Sequence, residues 1–293
     1  MNQLKSVRRK CYEILCKIRG GGRKCIFLFL RFGVITECLF NHEKRSIIKY
    51  LLKPQKMAFF PYSFVRKYEH KDIKVFYDKD KYPYVLHGEK QMFMKKSWTV
   101  ERIKAYYASI LCEQDEESPH RYLLNKERYP EYDSIVADIG AAEGVFSLDI
   151  IDYVKKIYLF ECDPEWLIPL KKTFANWEDK VEIVEKYVGD RDDKDMITLD
   201  RFFNEKNIHY IKADIEGAEE RMLIGGKRTF LTKVRKTLIC TYHLPSAESV
   251  IYNYLEQYGF RSEYNPGYVL FIYDLKNFRT PFARHALIYG YKK

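Results

Sequence analysis

From Ser134 onward, short apolar runs alternate with segments in which apolar residues recur every three to four positions. Apolar runs of four to eight residues mark strands buried on both faces, and the longer period marks amphipathic helices. The pattern predicts strands at 134–137, 157–160, 181–188, 209–213 and 237–241, with helices at 145–154, 165–176, 198–203, 219–224 and 246–258 between and after them. Strand candidates at 260–264, 268–273 and 285–289 close the series. Such alternation implies an α/β domain whose mostly parallel sheet is covered on both faces, with antiparallel strands at its C-terminal edge. Upstream, strand-like stretches at 73–77, 84–86 and 91–94, separated by turns at 78–81 and Gly88, predict a small β meander, and 100–111 has helical spacing. The expected organisation is a basic helical arm (1–56), a meander and helix (57–125) placed to act as lid or substrate wall, and the α/β domain (126–293).

The first of these strands runs into Asp138-Ile-Gly140-Ala141-Ala142-Glu143-Gly144, and the second ends at Glu161-Cys162-Asp163. Strand, glycine turn, helix, strand and terminal acid, in that order, describe a nucleotide-type cofactor site; an acid about 20 residues after the turn is placed to bind ribose hydroxyls. A dinucleotide fold requires glycine at the middle of the turn so that backbone amides reach a pyrophosphate. Here the middle glycine is missing, and Asp138 and Glu143 would repel phosphate. The two acids suit a cofactor with a cationic end, namely the sulfonium and ammonium of S-adenosylmethionine. In an open α/β sheet, ligands bind beyond the carboxyl ends of the strands. Asp138, Glu161, Asp190, Asp214 and His243 all fall there. On that map Gly140, Ala141, Ala142 and Gly144 let backbone approach the methionine part, Glu161 and Cys162 take the ribose side, and Val188, Gly189 and Asp190 flank the adenine. Asp138 is expected to order the turn amides.

Charge changes the picture only locally. The net charge is +10, but residues 1–56 hold 14 Lys and Arg against Glu13, Glu37 and Glu43, so the whole excess lies in the arm. The remainder has no polyanion-binding composition, and nucleic acid is not expected as its partner. The arm could meet an anionic membrane surface as a peripheral helix. Its apolar stretch at 25–30 is cut by Arg31 and too short to span a bilayer, and no signal-peptide order is present. Seven scattered cysteines without a Cys-x-x-Cys pair argue against a disulfide framework or zinc site and fit a reducing, cytoplasmic compartment.

Three segments, Val136 to Gly144, Thr198-Leu199-Asp200 and above all Ile211-Lys212-Ala213-Asp214-Ile215-Glu216-Gly217-Ala218-Glu219, resemble the FkbM family of class I S-adenosylmethionine-dependent methyltransferases. The resemblance covers roughly residues 113–290. It implies a Rossmann-like fold of seven strands and methylation of a hydroxyl, often of a sugar, polyketide or cell-surface glycan. Ala142 stands where many class I enzymes have glycine.

Transfer of a methyl group to oxygen needs in-line positioning and removal of the acceptor proton. His243 is the neutral candidate for base, with Asp214 or Glu216 to orient or replace it; the alternative is a strand-end histidine bonded to a loop. Glu216 and Glu219 either touch substrate or complement a helix N-terminus. A divalent ion on Asp214, Glu216 and His243 is allowed by ligand type, but the spacing does not specify one, and no metal is expected. His120 and Arg121 either face a small-molecule or glycan acceptor or pair with Glu116 and Glu117 on a surface loop. Asn265-Pro266-Gly267-Tyr268 reads as a hairpin turn. Two other functions remain open: methylation of RNA or protein, and a cofactor-binding scaffold without turnover.

Overall fold

The computed structural model describes residues 32–39, 44–52, 58–271 and 280–292. The unbroken apolar runs become strands that are covered on both sides. The meander supplies β1 (Phe76–Tyr77), β2 (Pro83–His87) and β3 (Lys90–Phe93), and the main sheet comprises β4 (Ile135–Ile139), β5 (Lys156–Phe160), β6 (Val181–Val184), β7 (Tyr210–Ala213), β8 (Lys236–Cys240), β9 (Arg261–Tyr264) and β10 (Leu287–Tyr291). In β4, β5, β7, β8 and β10 nearly every residue is buried, whereas the edge strands β6 and β9 are not. This is the burial expected of a sheet sandwiched between helical layers.

The strand order is β9-β10-β8-β7-β4-β5-β6, and only β10 runs against the others. This is a Rossmann-like seven-strand sheet, closed by one antiparallel strand where the sequence suggested several. The chain moves outward from β4 through β5 to β6, then returns to β7 on the other side of β4. Between β4 and β7 the order reverses, which leaves a crevice beyond their carboxyl ends.

The helices are α1 (Arg45–Leu51), α2 (Val100–Glu113), α3 (Val145–Ile150), α4 (Pro164–Thr173), α5 (Leu199–Phe202), α6 (Glu219–Gly225), α7 (Lys227–Thr232) and α8 (Ala247–Gln257); residues 32–39 are also helical. Short polar side chains start several of them. Thr99 accepts from Arg102 N, Asp163 from Glu165 N with Pro164 in the first turn, and Thr198 from Arg201 N. On one face of the sheet, Ile139, Phe160, Ile211 and Ile239 pack with Phe203, Phe230, Ile251 and Tyr258. Phe160 meets Phe202 edge-on with centroids 4.9 Å apart, the geometry that aromatic quadrupoles favour.

Two expectations change. The strand expected over 181–188 breaks after Val184, because Lys186 N turns back to bond Val184 O at 2.9 Å; Tyr187–Val188 then pairs with Met196–Ile197 outside the main sheet. The meander is not a separate region. The chain divides into one unit of Met1–Tyr62 with Leu270–Ala283, and a second of Ser63–Val269 with Arg284–Lys293, so meander and sheet share a unit. Phe93 N donates to Thr173 Oγ1 at 2.9 Å, and Lys172 pairs with Asp78 at 2.6 Å, tying the meander to α4. In the first unit Glu37 accepts from Phe282 N and Ala283 N and pairs with Lys44 at 3.0 Å. Most of the basic arm, including Gly20 to Gly22 and the apolar stretch 25–30, lies outside the described residues. Among the described residues no helix is long and apolar enough to cross a membrane.

Candidate active site

Two loops meet at the crevice, one after β4 and one after β7. Gly140 has φ +76°, and a Cβ there would lie 2.0 Å from the Asp214 carbonyl oxygen, so only glycine lets the loops touch. Gly140 N and Ala141 N both donate to Phe160 O, which fixes the turn to the end of β5. Ala142 takes a left-handed φ of +47°, a conformation that costs an alanine about 1–3 kcal/mol. Its N–H donates to Glu161 Oε2 at 2.8 Å, which offsets part of that cost, and Asp163 N donates to Glu161 Oε1 at 2.7 Å. The acid at the tip of β5 is therefore held rigidly against the turn.

Gly140, Ala142, Asp214 and Glu216 form a bar with a chamber on each side. The first chamber, about 250 Å³, is lined by Ile139, Phe160, Glu161, Cys162, Tyr187, Val188 and Ile215. The second, about 220 Å³, is lined by Tyr106, Glu113, Tyr122, Ala141, Glu143, Lys212 and Tyr242. One chamber is largely apolar with a carboxylate at its wall; the other is ringed by phenols and carboxylates. A larger hollow of about 560 Å³ lies at the opposite ends of the strands, around His209, Lys233 and Lys292. Its lysines are occupied by backbone carbonyls, Lys233 by those of Phe203, Asn204 and Lys206 and Lys292 by those of Phe230 and Leu231, so it is a structural seam.

The second chamber is organised by a buried lysine. Lys212 Nζ sits 2.9 Å from Asp138 Oδ1 and donates to Gly140 O at 2.9 Å. Burial disfavours its charge, but the carboxylates of Asp138 and Asp214 outweigh that and raise its pKa. Asp214 accepts from Tyr122 Oη at 2.9 Å; burial would raise its pKa, yet Lys212, His243 and His120 bring it below the usual carboxylate range. Tyr106 Oη donates to Glu143 Oε2 at 2.5 Å, and burial still raises Glu143. Glu113, at the end of α2, is pushed up to about 8 by burial and by the charges of Glu143 and Asp214, with Lys212 opposing. Among the described residues carboxylates outnumber cations here, and the one ammonium lining the chamber, Lys212, is already committed.

Of the residues picked out from sequence, Gly140, Ala141, Ala142, Glu143, Glu161, Cys162, Val188, Asp214 and Glu216 line the chambers. Several do not. Asp138 is fully buried between Ser147 Oγ (2.8 Å) and Lys212, so it orders the lysine instead of the turn amides. Gly144 begins α3, and a Cβ there would come 2.8 Å from the Phe174 ring; its role is packing. Gly189 lines neither chamber, and Asp190 pairs with Arg221 at 2.9 Å on the surface. Arg121 donates Nε to Leu123 O rather than to Glu116 or Glu117. His120 is buried among Asp214 (3.7 Å), Cys240 (3.8 Å) and the rings of Tyr122 and Tyr242, and burial lowers its pKa to about 4.

His243 departs most from expectation. Its Nδ1 lies 2.9 Å from Glu219 Oε1, and its Nε2 lies 3.4 Å from Asp214 Oδ1 and 3.9 Å from Glu216 Oε2. Burial lowers its pKa, but Glu219, Asp214 and Glu216 together raise it. It lines neither chamber. Arg284 fixes the backbone at this point through the carbonyls of Tyr242 and His243. Asn265 is more than a hairpin residue, since its amide donates to Pro119 O and Arg121 O and pins the 119–121 segment.

Residues 180–262 match the methyltransferase FkbM domain family. This chain resembles the FkbM methyltransferases. The match takes in Thr198 to Asp200 and Ile211 to Glu219, and is narrower than the span expected from the sequence because it leaves out the glycine turn. Among curated proteins no relative matches. Among solved structures, a methyltransferase FkbM from Methylobacillus flagellatus is similar at 16% identity and a TM-score of 0.46, covering 66% of this chain and 54% of its own. The FkbM-like chain thus spans about half the length of that protein. A precorrin-6y C5,15-methyltransferase from Geobacter metallireducens aligns at 15% identity (TM-score 0.38, 56% of this chain, 83% of that one), and an rRNA methylase from Streptococcus thermophilus at 12% (TM-score 0.37, 55% and 88%). At these levels the likenesses carry no argument about substrate.

Proposed function

We propose that this FkbM-like chain is an S-adenosylmethionine-dependent O-methyltransferase acting on a hydroxyl of a sugar, glycan or related small metabolite. The observation that carries the reading is the pair of chambers meeting at Asp214 and Glu216, with a fixed carboxylate in one and buried carboxylates in the other. The donor set fits the cofactor. Glu161 is positioned for ribose hydroxyls beside an apolar wall of Ile139, Val188 and Ile215 suited to adenine, and Glu143 suits an ammonium. Bound there, the cofactor supplies an electrophilic methyl group on a sulfonium.

The remaining work falls to the chain. Asp214, which lines both chambers, is the group best placed to receive the acceptor proton, and Tyr122 holds it through Oδ2. A carboxylate with a lowered pKa is a weak base, so positioning must supply most of the acceleration. The rings of Tyr106, Tyr122 and Tyr242 offer flat faces for a sugar. The near-neutral composition outside the arm favours this acceptor class over RNA.

The test is transfer of labelled methyl from S-adenosylmethionine into fractionated cell extract. Label is expected in a hydroxylated small molecule or glycan, and Asp214→Asn should lower transfer at least about hundredfold while the variant still binds S-adenosylhomocysteine. Label in RNA or protein instead, or full transfer by the variant, would overturn the assignment.

A further inference from the structure

We propose that Asp214, Glu216 and His243 form a divalent-cation site at the bar between the chambers, with Glu219 as the residue that orients the histidine. Its catalytic meaning rests on the methyltransferase reading; its existence does not. A metal-binding imidazole characteristically offers one ring nitrogen to the ion and fixes the other on a carboxylate. His243 is built in that way. Nδ1 lies 2.9 Å from Glu219 Oε1, and the same oxygen accepts from Ile215 N at 3.2 Å, so Glu219, 1% exposed, is locked in place.

The opposite nitrogen, Nε2, faces Asp214 Oδ1 at 3.4 Å and Glu216 Oε2 at 3.9 Å. Neighbouring ligand atoms around an ion with bonds of about 2.1 Å lie about 3–3.5 Å apart, so small side-chain movements would close the set. Asp214, Glu219 and His243 already present ligand atoms within 4.8 Å of one another. Three carboxylates surround one imidazole, while Lys212 is taken up by Asp138 and the Gly140 carbonyl. Asp214 and Glu216 also line both chambers, so an ion held by them would keep coordination positions open to water or to an acceptor oxygen. A second set, His120, Asp214 and Cys240, also lies within 4.8 Å, but only Asp214 of that set lines a chamber, whereas Asp214 and Glu216 both do in the first.

One imidazole with carboxylates and no thiolate suits a first-row ion of Mn²⁺ type. The experiment titrates the full chain with Mn²⁺ and follows loss of the free-ion electron paramagnetic resonance signal. One Mn²⁺ per chain is expected, bound about ten- to hundredfold more weakly by His243→Ala and by Glu219→Gln. Glu216→Gln, on an exposed side chain, should weaken binding without risk to the fold and carries the test if the buried variants do not fold. Absence of saturable binding, or binding unchanged by Glu216→Gln, would overturn the site. Calorimetry with S-adenosylhomocysteine in excess chelator separates the two proposals, since retained cofactor binding without a metal site removes only this one.

Discussion

Glu113 shows how far a single side chain can depart from its ordinary chemistry in this site. Its folded-state pKa of about 8 lies above the ordinary 4.5, so the folded protein holds a proton that the unfolded chain has released. Stability from this group is complete below pH 4.5 and is lost as pH rises towards 8. Glu113→Gln removes the titration, so in metal-free buffer the melting temperature of the variant should gain on wild type steadily from pH 5 to 8. A difference that does not change with pH would contradict the assigned burial. The site was only partly legible at this scale. Glu161, Asp214 and Glu216 could be named because each follows a strand, where the fold exposes side chains to the crevice. Glu113 was placed only within the 57–125 region expected to act as lid or substrate wall, since it ends a helix upstream of the glycine turn and nothing local singles out its own role. His243 was found by the same strand-end rule, with Asp214 and Glu216 as its partners, but the hold of Glu219 Oε1 on its Nδ1 was not, because it depends on the conformation of the 214–219 loop, which the sequence does not announce.

At the scale of elements, strands and helices of the sheet were legible because buried parallel strands leave continuous apolar runs. The exception inside β7 is informative: Tyr210-Ile211-Lys212-Ala213 carries an ammonium through an otherwise apolar layer. That lysine is the one signal in the sequence for the Asp138–Lys212 pair. Removing one partner of a buried ion pair leaves the other charge uncompensated, so Lys212→Met should destabilise by about 3–5 kcal/mol. The double variant Asp138→Asn/Lys212→Met should recover a large part of that loss in a denaturant-unfolding cycle, since it leaves no charged Asp138 without its partner. Additive losses would show that the two residues act independently. The break of the expected strand at 181–188 was not legible, because every residue from Val181 to Val184 and again at Tyr187 and Val188 suits a strand; only the backbone turn at Lys186 separates them and brings Val188 to the chamber wall.

For the whole molecule, charge and topology point to different parts of the chain. The basic excess belongs to the first 56 residues, whereas the chambers are built by the unit of Ser63–Val269 with Arg284–Lys293. Within that unit the reversal of strand order between β4 and β7 creates the crevice, and the proposed choice of cofactor rests on the missing middle glycine and on Glu143, since Asp138 is taken up by Lys212. That choice is the central claim, and isothermal titration calorimetry of the full chain with S-adenosylhomocysteine and with NAD tests it most directly. The account predicts saturable binding of S-adenosylhomocysteine at one site, weakened about ten- to hundredfold by Glu161→Ala, and no binding of NAD. Binding of NAD with none of S-adenosylhomocysteine would contradict it.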